Sequence, residues 1–400
     1  MLSMTRAEST IDDDQKRRML FLFPLMYRPT KVNVTKRFTH FSNWSTGHIF
    51  ALSGERQKAL PIEAFEFHSE GLAGGTFRRL MLSAWIHIVV PCSLLVRQGK
   101  VDVIVAYDPF RSGVAALILK FVFQTKAIVE LNGDYHTTAS TRDGVRGKFM
   151  QMLLHAVLKR ADAIKCVNLH QEAFCRAHFP GKAIYRFPDF AATDYFGGLP
   201  CVRGDYLLSV GHPFKLKGMD TLIAAFLQIA ERHQHVHLRI MGFCHENELA
   251  RFRELARDHP RISFVRPGWI EEVGEQMRGC LALVNASRTD AMPRVHFEAM
   301  ACAKPIVATR TNGASEAIVH GETGLLCAID DVGDLASRLD ELVSDSARSI
   351  RMGEAGRARL QSLFSEEHYA ASFRRMVEEV AQRVEAICIR SASTLFTWDA

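Results

Sequence analysis

Short apolar runs alternate with longer amphipathic stretches along most of this chain, starting at residue 19. The apolar runs are rich in Val, Ile, Leu and Phe, which is typical of strands buried on both faces of a sheet. Strands are predicted over residues 19–24, 49–53, 64–68, 101–107, 127–131 and 163–167. Helices are predicted between them over residues 34–44, 77–97, 113–123 and 147–160. This alternation predicts a parallel, doubly wound α/β sheet.

A second alternation follows a Gly-Gly-Leu-Pro break at residues 197–200. Strands are predicted over residues 206–210, 237–242, 262–265, 281–286 and 306–308, and helices over 219–233, 246–258, 273–280, 295–303 and 332–344. The pattern predicts two Rossmann-like domains in tandem, residues 19–196 and 203–364. A polar leader, residues 1–18, precedes them, and a long helix, residues 365–390, follows them.

Two apolar segments allow a second interpretation. Residues 19–26 follow Arg17 and Arg18 as in a short signal peptide, but without a small-residue cleavage site they are better explained as a buried strand. Residues 81–96 are strongly apolar, yet Pro91 interrupts them and they fall short of the roughly 20 residues that a membrane span needs. Basic flanks suit an interfacial helix, and a packed helix explains the segment equally well. These flanks are Arg78, Arg79, Arg97 and Lys100.

Composition narrows the class of protein. The 400 residues are 48% hydrophobic and 24% charged, as in soluble globular proteins. Nine cysteines form no C-x-x-C pair and are expected to be reduced core thiols of a cytoplasmic protein. Residues 1–200 carry 26 Lys and Arg against 17 Asp and Glu, whereas residues 201–400 carry 24 against 27. The basic first half predicts either contact with anionic lipid or an anionic acceptor, or a solvated face, and no nucleic-acid motif accompanies it.

The most informative chemistry lies after the strand at 281–286. Asp290 and Glu298 stand eight positions apart, and Pro293 between them opens an apolar helix. A loop at the carboxyl end of a parallel strand is where ligands bind, and a helix amino end attracts anions. Carboxylates beside such an anion site can accept hydrogen bonds from hydroxyls, so the pattern suggests a phosphate linked to sugar hydroxyls. Asp290 as a helix cap, and Glu298 paired with an arginine of the same domain such as Arg310, are the structural alternatives.

A second loop follows the strand at 206–210. Gly211 and His212 begin it, and Lys217 with Gly218 ends it just before the helix at 219–233. A glycine lets the backbone approach a phosphate, and a lysine neutralises charge on it. Lys215 offers a second positive charge. Without the acidic motif, the loop could equally be a solvated turn.

Together these residues resemble the E-x7-E region of retaining glycosyltransferases with the GT-B fold, particularly glycosyltransferase family 4. Asp290 takes the place of the usual first Glu, and Glu298 matches the second. Lys217-Gly218 match the family's Lys-Gly, whereas His212 stands where the family has Arg. Further matches are Glu298 to Ala301, Pro305, Asn312-Gly313, Glu316, Gly321 and Gly324. The resemblance covers most of residues 19–385 and implies two domains facing a central cleft, with the final helix crossing back to the first domain.

The resemblance also implies roles for single residues. Asp290 would contact the transferred sugar and Glu298 the nucleotide ribose, while Lys217 and Gly211 meet the diphosphate. Ala291 and Met292 would offer their backbone N–H groups to the sugar. Pro293, which replaces a glycine common in the family, has no backbone N–H to offer. The loop Gly268-Trp269-Ile270 would place backbone groups against the base, with Trp269 either stacking or packing.

The first domain shows its site less clearly. Family members often carry a His near the acceptor, after the strand matched here by residues 127–131. Asn132, Asp134 and His136 follow that strand, and Asp108 follows the strand before it. They are candidates for orienting an acceptor hydroxyl, although Asn132 is explained equally well by a structural turn.

The implied reaction moves a sugar from a nucleotide-diphosphate donor to a hydroxyl of a glycan or lipid-linked acceptor, with retention of configuration. No enzyme nucleophile, metal or cofactor is expected; Lys217 and helix dipoles stabilise the leaving diphosphate, and Asp290 orients the sugar. The expected setting is polysaccharide or glycolipid assembly at the inner face of the cytoplasmic membrane.

Alternatives are another GT-B enzyme, such as a sugar-nucleotide epimerase, or a non-catalytic scaffold, which the departures at His212 and Asn132 favour. A dehydrogenase is disfavoured because neither first strand precedes a G-x-G-x-x-G motif.

Overall fold

A computed structural model describes residues 16–26, 31–53, 62, 64–71, 76–135, 144–193, 196–197, 204–266 and 270–394. The chain divides into two compact units. Unit 1 holds Met1–Cys166, Glu172–Tyr185 and Ala370–Ala400, and unit 2 holds Val167–Gln171 and Arg186–Tyr369. Apart from the short segment Val167–Gln171, the chain enters unit 2 at Arg186 and returns to unit 1 at Ala370, whereas the sequence predicts these two boundaries near residues 196 and 365.

Unit 1 is built on a seven-stranded sheet with the order β3-β2-β1-β4-β5-β6-β7. Strands β1 to β6 pair in parallel. The strands are β1 Arg17–Met26, β2 Ser45–Ser53, β3 Phe65–Gly71, β4 Val103–Ala106, β5 Lys126–Leu131, β6 Ala163–Cys166 and β7 Ala183–Arg186. The helices are α1 Lys31–Ser42, α2 Thr76–Ala84, α3 Val90–Gln98, α4 Arg111–Phe123, α5 Gly144–Arg160 and α6 Leu169–His178. The predicted α/β class is confirmed for this unit.

Strand β1 lies inside the unit 1 sheet, beside the central strand β4, and its side chains contribute to both layers of core. Leu20 and Leu22 face an apolar layer that includes Phe50 and helices α3 to α5. Phe21 faces an aromatic layer and lies 4.8 Å from Phe38, centroid to centroid, in an edge-on contact. Leu20, Phe21 and Leu22 are all fully buried, so the interpretation of this segment as a buried strand is confirmed.

Helices α2 and α3 form one continuous helical stretch, joined by a π-helical turn at Trp85–Val89. Pro91 therefore does not break the stretch, contrary to the sequence-based prediction. It sits in the first turn of α3, where a missing N–H group and a fixed φ are tolerated. The run Arg78–Gln98 is 21 residues long with mean hydropathy 1.7, so by length and composition alone it could cross a membrane. Pro91 and Leu95 are buried within unit 1, whereas other apolar side chains of the stretch, such as Trp85 and Val96, are exposed, so only one side of it packs against the unit.

Unit 2 contains a six-stranded parallel sheet with the order β10-β9-β8-β11-β12-β13. The strands are β8 Tyr206–Val210, β9 His237–Met241, β10 Ile262–Val265, β11 Ala282–Asn285, β12 Ile306–Thr309 and β13 Gly324–Cys327. The helices are α7 Met219–Ile229, α8 Glu246–Leu255, α9 Ile270–Gly279, α10 Arg294–Ala301, α11 Asn312–Ala317, α12 Val332–Ser344, α13 Ser346–Leu363 and α14 Glu366–Thr394. The last helix begins in unit 2 and continues into unit 1 from Ala370.

The strand order of unit 2 creates a switch point between β8 and β11. From β8 the chain builds outward through β9 and β10, and it then returns to add β11, β12 and β13 on the opposite side. The loops leaving β8 and β11 therefore diverge to opposite faces, which opens a crevice at the carboxyl ends of these two strands. The two loops singled out from the sequence are these two.

Candidate functional site

The loops after β8 and β11 meet through an ion pair. Lys217 Nζ lies 2.5 Å from Asp290 Oδ2, and the two side chains are 20% and 15% exposed. Lys217 belongs to the turn that enters α7, and its backbone N–H donates to Pro213 O at 3.0 Å. The structure thus brings together the two residues predicted to act in catalysis, at the switch point of unit 2.

Gly211 makes room for the lysine stem. Its φ of 149° is unfavourable for other residues, and a Cβ there would lie 3.2 Å from the Cγ and Cε of Lys217. Gly218, with φ of 62°, precedes α7, and a Cβ there would lie 2.0 Å from Ala286 O. Gly211 therefore leaves space for the lysine side chain, and Gly218 lets the loop approach the backbone of Ala286 closely.

Arg288 ties the two loops together, and sequence reasoning missed it. Its backbone N–H donates to Leu216 O at 3.0 Å. Its guanidinium lies 2.9 Å from Asp220 Oδ2 on α7 and 2.8 Å from Asp330 Oδ1, and it also donates to Lys215 O. Side-chain bonds to Asp220 raise the pKa of Arg288, so this positive charge is permanent. A basic residue two positions before the acid was the available sequence signal.

The segment from Asp290 to Met292 is fixed by contacts to its backbone. Gly313 N donates to Asp290 O at 3.1 Å, and Asn168 Nδ2 donates to Ala291 O at 2.7 Å. A Cβ on Gly313 would lie 2.4 Å from Ala291 O, so only glycine fits at that point. Helix α10 is capped by Pro293 without a side-chain bond, which rules out the alternative of Asp290 as its N-cap residue.

Glu298 lies on α10 and is partly buried. Burial raises the pKa of its carboxyl group, and the charge of Arg294 opposes that shift. Within the part of the chain that the structure describes, no side chain donates a hydrogen bond to this carboxylate. Among the described residues Arg310 forms no ion pair with Glu298, and of the arginines in this domain it is Arg294 whose charge acts on the carboxylate, without an ion pair.

A buried polar network lies behind the ion pair. His296 on α10 is fully buried, and its Nε2 lies 2.9 Å from Asn285 Nδ2 at the end of β11. Asn285 Oδ1 accepts from Ser287 Oγ at 2.5 Å, and Thr309 Oγ1 donates to Ser287 O at 2.5 Å. Burial, and then the charge of Lys217, lower the pKa of His296 to about 3. A neutral imidazole therefore supports the loop; a His inside an apolar helix was the only sequence signal.

For the other residues predicted to bind the donor, the structure shows only their exposure or their position in an element. His212 and Lys215 are exposed on the β8 loop. Ala291 and Met292 have buried side chains, which leaves only their backbone for a ligand. Ile270 begins α9, while the predicted contacts of Gly268 and Trp269 lie outside the described residues.

In unit 1 the predicted acceptor residue Asn132 is bonded to a buried network of charged side chains. Asn132 Nδ2 donates to Glu130 Oε2 at 3.0 Å, and Lys165 Nζ donates to Asn132 Oδ1 at 3.2 Å. Glu130 and Lys165 are fully buried, and Arg37 Nη2 lies 3.4 Å from Glu130 Oε1. Asn132 thus has a structural role in linking β5 to β6, and its contact with an acceptor stays a prediction.

Two further acids follow strands of unit 1. Asp108 accepts from the backbone N–H groups of Phe110, Arg111 and Ser112 at 2.7–3.1 Å. Its carboxylate therefore binds the first backbone N–H groups of α4, and its contact with an acceptor stays a prediction. Asp134 is buried after β5, whereas His136 lies outside the described residues.

Comparison with known proteins finds similarity to glycosyltransferases, mainly in unit 2. Residues 202–359 match the family described as Glycosyl transferases group 1. An uncharacterized glycosyltransferase of Methanocaldococcus jannaschii is 26% identical over 294 residues, which is 72% of this chain and 78% of that protein. A D-inositol 3-phosphate glycosyltransferase of Pseudarthrobacter chlorophenolicus is 32% identical over 162 residues, only 39% of each protein. The resemblance drawn from the Asp290 and Lys217 motifs is thereby confirmed.

Solved structures identify the fold. Sucrose-phosphate synthase from Thermosynechococcus elongatus superposes with a TM-score of 0.77 over 91% of this chain and 99% of its own, at 17% identity. Anabaena HepE, solved with UDP-glucose, gives 0.69 over 92% and 99%, at 15% identity. The predicted GT-B fold, with two Rossmann-like units, is confirmed.

Proposed function

We propose that this chain transfers a sugar from a nucleotide diphosphate to an acceptor hydroxyl with retention of anomeric configuration, since residues 202–359 match the family of group 1 glycosyl transferases and the fold is GT-B. The observation that carries the proposal is the Lys217–Asp290 ion pair at the switch point of unit 2. A cation that neutralises phosphate and an anion that accepts sugar hydroxyls meet there, on the two loops that a parallel sheet offers to ligands.

In this proposal the diphosphate of the donor binds beside Lys217. Gly211 and Gly218 bring the backbone of the loop close, and the amino end of α7 adds N–H groups and a positive dipole. Donor binding redirects the ammonium from Asp290 toward phosphate oxygens. Negative charge grows on the β-phosphate as the C1–O bond breaks, so the lysine stabilises the transition state more than the bound donor.

Two carboxylates are assigned to the two sugars of the donor. Asp290, which donor binding releases from part of its pairing with Lys217, accepts hydrogen bonds from hydroxyls of the transferred sugar. Glu298 accepts from the nucleotide ribose, an assignment supported by a partly buried carboxylate that receives no hydrogen bond from any described residue. A desolvated anion without a donor is costly, and two ribose hydroxyls remove that cost.

Retention follows in this proposal from attack on the same face as departure. The acceptor oxygen forms the new bond to C1, the bond from C1 to the diphosphate oxygen breaks, and that oxygen takes the acceptor's proton. The chain supplies charge stabilisation through Lys217 and orientation through Asp290, and none of its side chains forms a covalent intermediate. His296 stays neutral beside the lysine, so it holds the loop without adding charge.

The proposed acceptor is a glycan or lipid-linked hydroxyl in polysaccharide or glycolipid assembly, reached at the inner face of a membrane. Support comes from exposed apolar side chains on the stretch from α2 to α3, flanked by exposed basic residues. The apolar ones are Leu80, Met81, Trp85, Val89 and Val96, and the basic ones are Arg78, Arg79, Arg97 and Lys100. Such a face suits an anionic membrane surface, because apolar insertion and charge attraction act together.

A donor screen tests the proposal. UDP-, GDP- and ADP-sugars are added to the purified protein, and the melting temperature is followed as each concentration rises. A donor that binds only the folded state must raise it progressively. Slow release of free sugar from that donor without acceptor, with the anomer identified by NMR, then reports on chemistry and stereochemistry. A donor that binds but is never turned over, with or without glycan and lipid acceptors, would identify a scaffold; an inverted product would overturn retention.

A further inference from the structure

Outside the donor site, the edge of the unit 1 sheet gathers three side chains that can bind a metal. His48 lies on β2, and Glu66 and His68 lie on the edge strand β3, in register with His48 and Phe50 respectively. His48 Nδ1 is 3.2 Å from His68 Nε2. Glu66 Oε2 is 3.4 Å from His48 Nδ1 and 3.7 Å from His68 Nε2. Three potential ligand atoms thus point at one another on one face of the sheet.

These separations have the size that a zinc ion requires. Zinc bonds to imidazole nitrogen and carboxylate oxygen are about 2.0–2.2 Å long, and zinc prefers tetrahedral ligands. Two ligands of such a tetrahedron lie about 3.3–3.6 Å apart, since its edge is about 1.6 times the bond length. The three observed separations of 3.2, 3.4 and 3.7 Å span this range. They form one triangular face and leave the fourth position open.

The contact of His48 with Gln98 directs the lone pair of His48 Nδ1 toward His68 and Glu66. Its other ring nitrogen, Nε2, lies 3.0 Å from Gln98 Oε1, an oxygen that can only accept a hydrogen bond. The ring therefore carries its proton on Nε2 and turns the Nδ1 lone pair toward His68 and Glu66. Metal-bound histidines are generally fixed in this way by an acceptor on the second nitrogen. Gln98 is itself anchored, because its backbone oxygen accepts from Arg18 Nη2 at 2.8 Å.

The ring of His68 is held as well. It stacks on Phe50, with centroids 4.6 Å apart and planes inclined by 11°. Without an ion, the facing nitrogens of His48 and His68 can share only one proton, because a hydrogen bond needs one donor and one acceptor. A cation lets both nitrogens and the Glu66 carboxylate act as ligands together, and the structure needs little rearrangement to receive it.

We propose that His48, Glu66 and His68 bind a divalent late transition-metal ion, foremost Zn²⁺, with water as the fourth ligand. Two imidazoles and one carboxylate suit zinc better than Mg²⁺ or Ca²⁺, which prefer oxygen ligands throughout. The ion joins β2 to β3 and so secures the edge of the sheet. This site lies in unit 1, and the proposed sugar transfer in unit 2 neither requires it nor is tested by it.

Zinc titration of the full chain, freed of metal by a chelator, tests the site. A chromophoric zinc indicator competes for the ion, and one zinc per chain is expected to bind. Glu66→Gln removes one ligand charge from a side chain that is 68% exposed, so it leaves packing intact and is expected to weaken binding at least tenfold. Gln98→Ala, which removes the second-nitrogen acceptor, is expected to cost about 10–100-fold in affinity. His235→Ala, at an exposed histidine of unit 2, serves as the matched control and leaves binding unchanged.

The thermal stability of the same proteins gives an independent answer. Zinc that binds the folded chain raises its melting temperature, and the rise is expected for the wild type and the His235→Ala control but much less for Glu66→Gln. Loss of zinc binding in a folded His68→Asn variant supports the site further. No stoichiometric binding by the wild type overturns the proposal, and so does equal affinity of wild type, Glu66→Gln and His68→Asn, which would point to cysteine ligands elsewhere.

Discussion

Lys217 Nζ and Asp290 Oδ2 lie 2.5 Å apart although the two residues are 73 positions apart in the chain. Each comes from a loop that leaves one of the two central strands of unit 2, so the pair marks the switch point of that sheet. Both side chains are mostly shielded from water, which strengthens their attraction relative to a surface pair. The pair holds the lysine side chain in place before a donor arrives, and a diphosphate with two or more negative charges can compete for it.

The first prediction concerns this lysine. Lys217→Ala should lower kcat far more than it raises KM for the donor, because the charge that the lysine meets grows in the transition state. Steady-state kinetics with the donor found in the screen provide the measurement. Lys215→Ala is the matched control, since Lys215 is exposed on the same loop. Equal losses in the two variants, or a larger loss at Lys215, would show that the phosphate loop has been assigned in the wrong register.

The second prediction separates binding from stability at Glu298. Glu298→Gln should weaken nucleotide binding by about 1–3 kcal/mol, the cost of losing a charged acceptor. The folded-state pKa of this carboxyl group is raised by burial, so the stability it contributes is present at acid pH and lost as the pH rises through that pKa. The unliganded variant should therefore melt at the same temperature as the wild type or higher at pH 7, with any gain shrinking toward pH 4. Isothermal titration and pH-dependent melting check both parts, and unchanged affinity for nucleotide and sugar nucleotide would refute the ribose assignment.

Much of the fold followed from apolar patterning alone. Strand Tyr206–Val210 was predicted with the observed bounds, because five consecutive strand-forming residues are flanked by polar ones and glycine. Helix Asn312–Ala317 was missed because six mostly small residues carry no apolar periodicity. Helix Leu169–His178 was missed because polar side chains occupy half of its positions. Local pattern thus identified elements with an apolar stripe and failed where tertiary packing, rather than composition, keeps an element helical.

The candidate site likewise contains residues that the sequence predicted and residues that it did not. Asp290, Glu298 and Lys217 were found because a fixed spacing within two short loops carries their chemistry. Arg288 and His296 were not found, since their roles depend on partners contributed by other segments of the chain: Asp220 and Asp330 for the arginine, Asn285 and Lys217 for the histidine. A sequence motif identifies the residues that meet a ligand but contains little about the contacts that hold them.

The third prediction concerns acid stability and His296. Its pKa is about 3 in the folded state, below the value near 6.5 of an unfolded chain. The unfolded chain therefore takes the proton first, and stability is lost as the pH falls from about 6.5 toward 3, with a slope approaching 1.4 kcal/mol per pH unit. His296→Leu should flatten this slope, whatever its effect at neutral pH. Urea unfolding of wild type and variant at several pH values measures the difference, and parallel curves would contradict a buried neutral imidazole.

The fourth prediction tests how tightly the Asp290 loop is held. Gly313→Ala places a Cβ where Ala291 O is 2.4 Å away, so the segment carrying Asp290 must shift. A shift of this kind should lower both stability and kcat, because misplaced catalytic groups lose much of their effect. Gly333→Ala is the matched control, since a Cβ there meets only Asp331 Oδ1 at 3.5 Å and alanine favours helix α12. The control should be neutral or slightly stabilising. Equal activity of Gly313→Ala and wild type would mean that this backbone contact does not position Asp290.

The last prediction concerns the membrane surface. Arg78 and Arg79 are exposed at the start of a stretch whose Trp85 is 51% exposed, and an anionic membrane attracts each well-placed arginine by about 1 kcal/mol. The protein should sediment with anionic liposomes at low salt, and less with neutral ones. Added salt should release it, because surface charges are screened over about 8–10 Å at ordinary ionic strength. Changing Arg78 and Arg79 to Ser should weaken sedimentation, whereas Arg251 and Arg253 to Ser, an equal loss of exposed charge in unit 2, should not. If the wild type stays in the supernatant with anionic vesicles at low salt, lipid attraction is excluded, and the basic face is better matched to a soluble anionic acceptor.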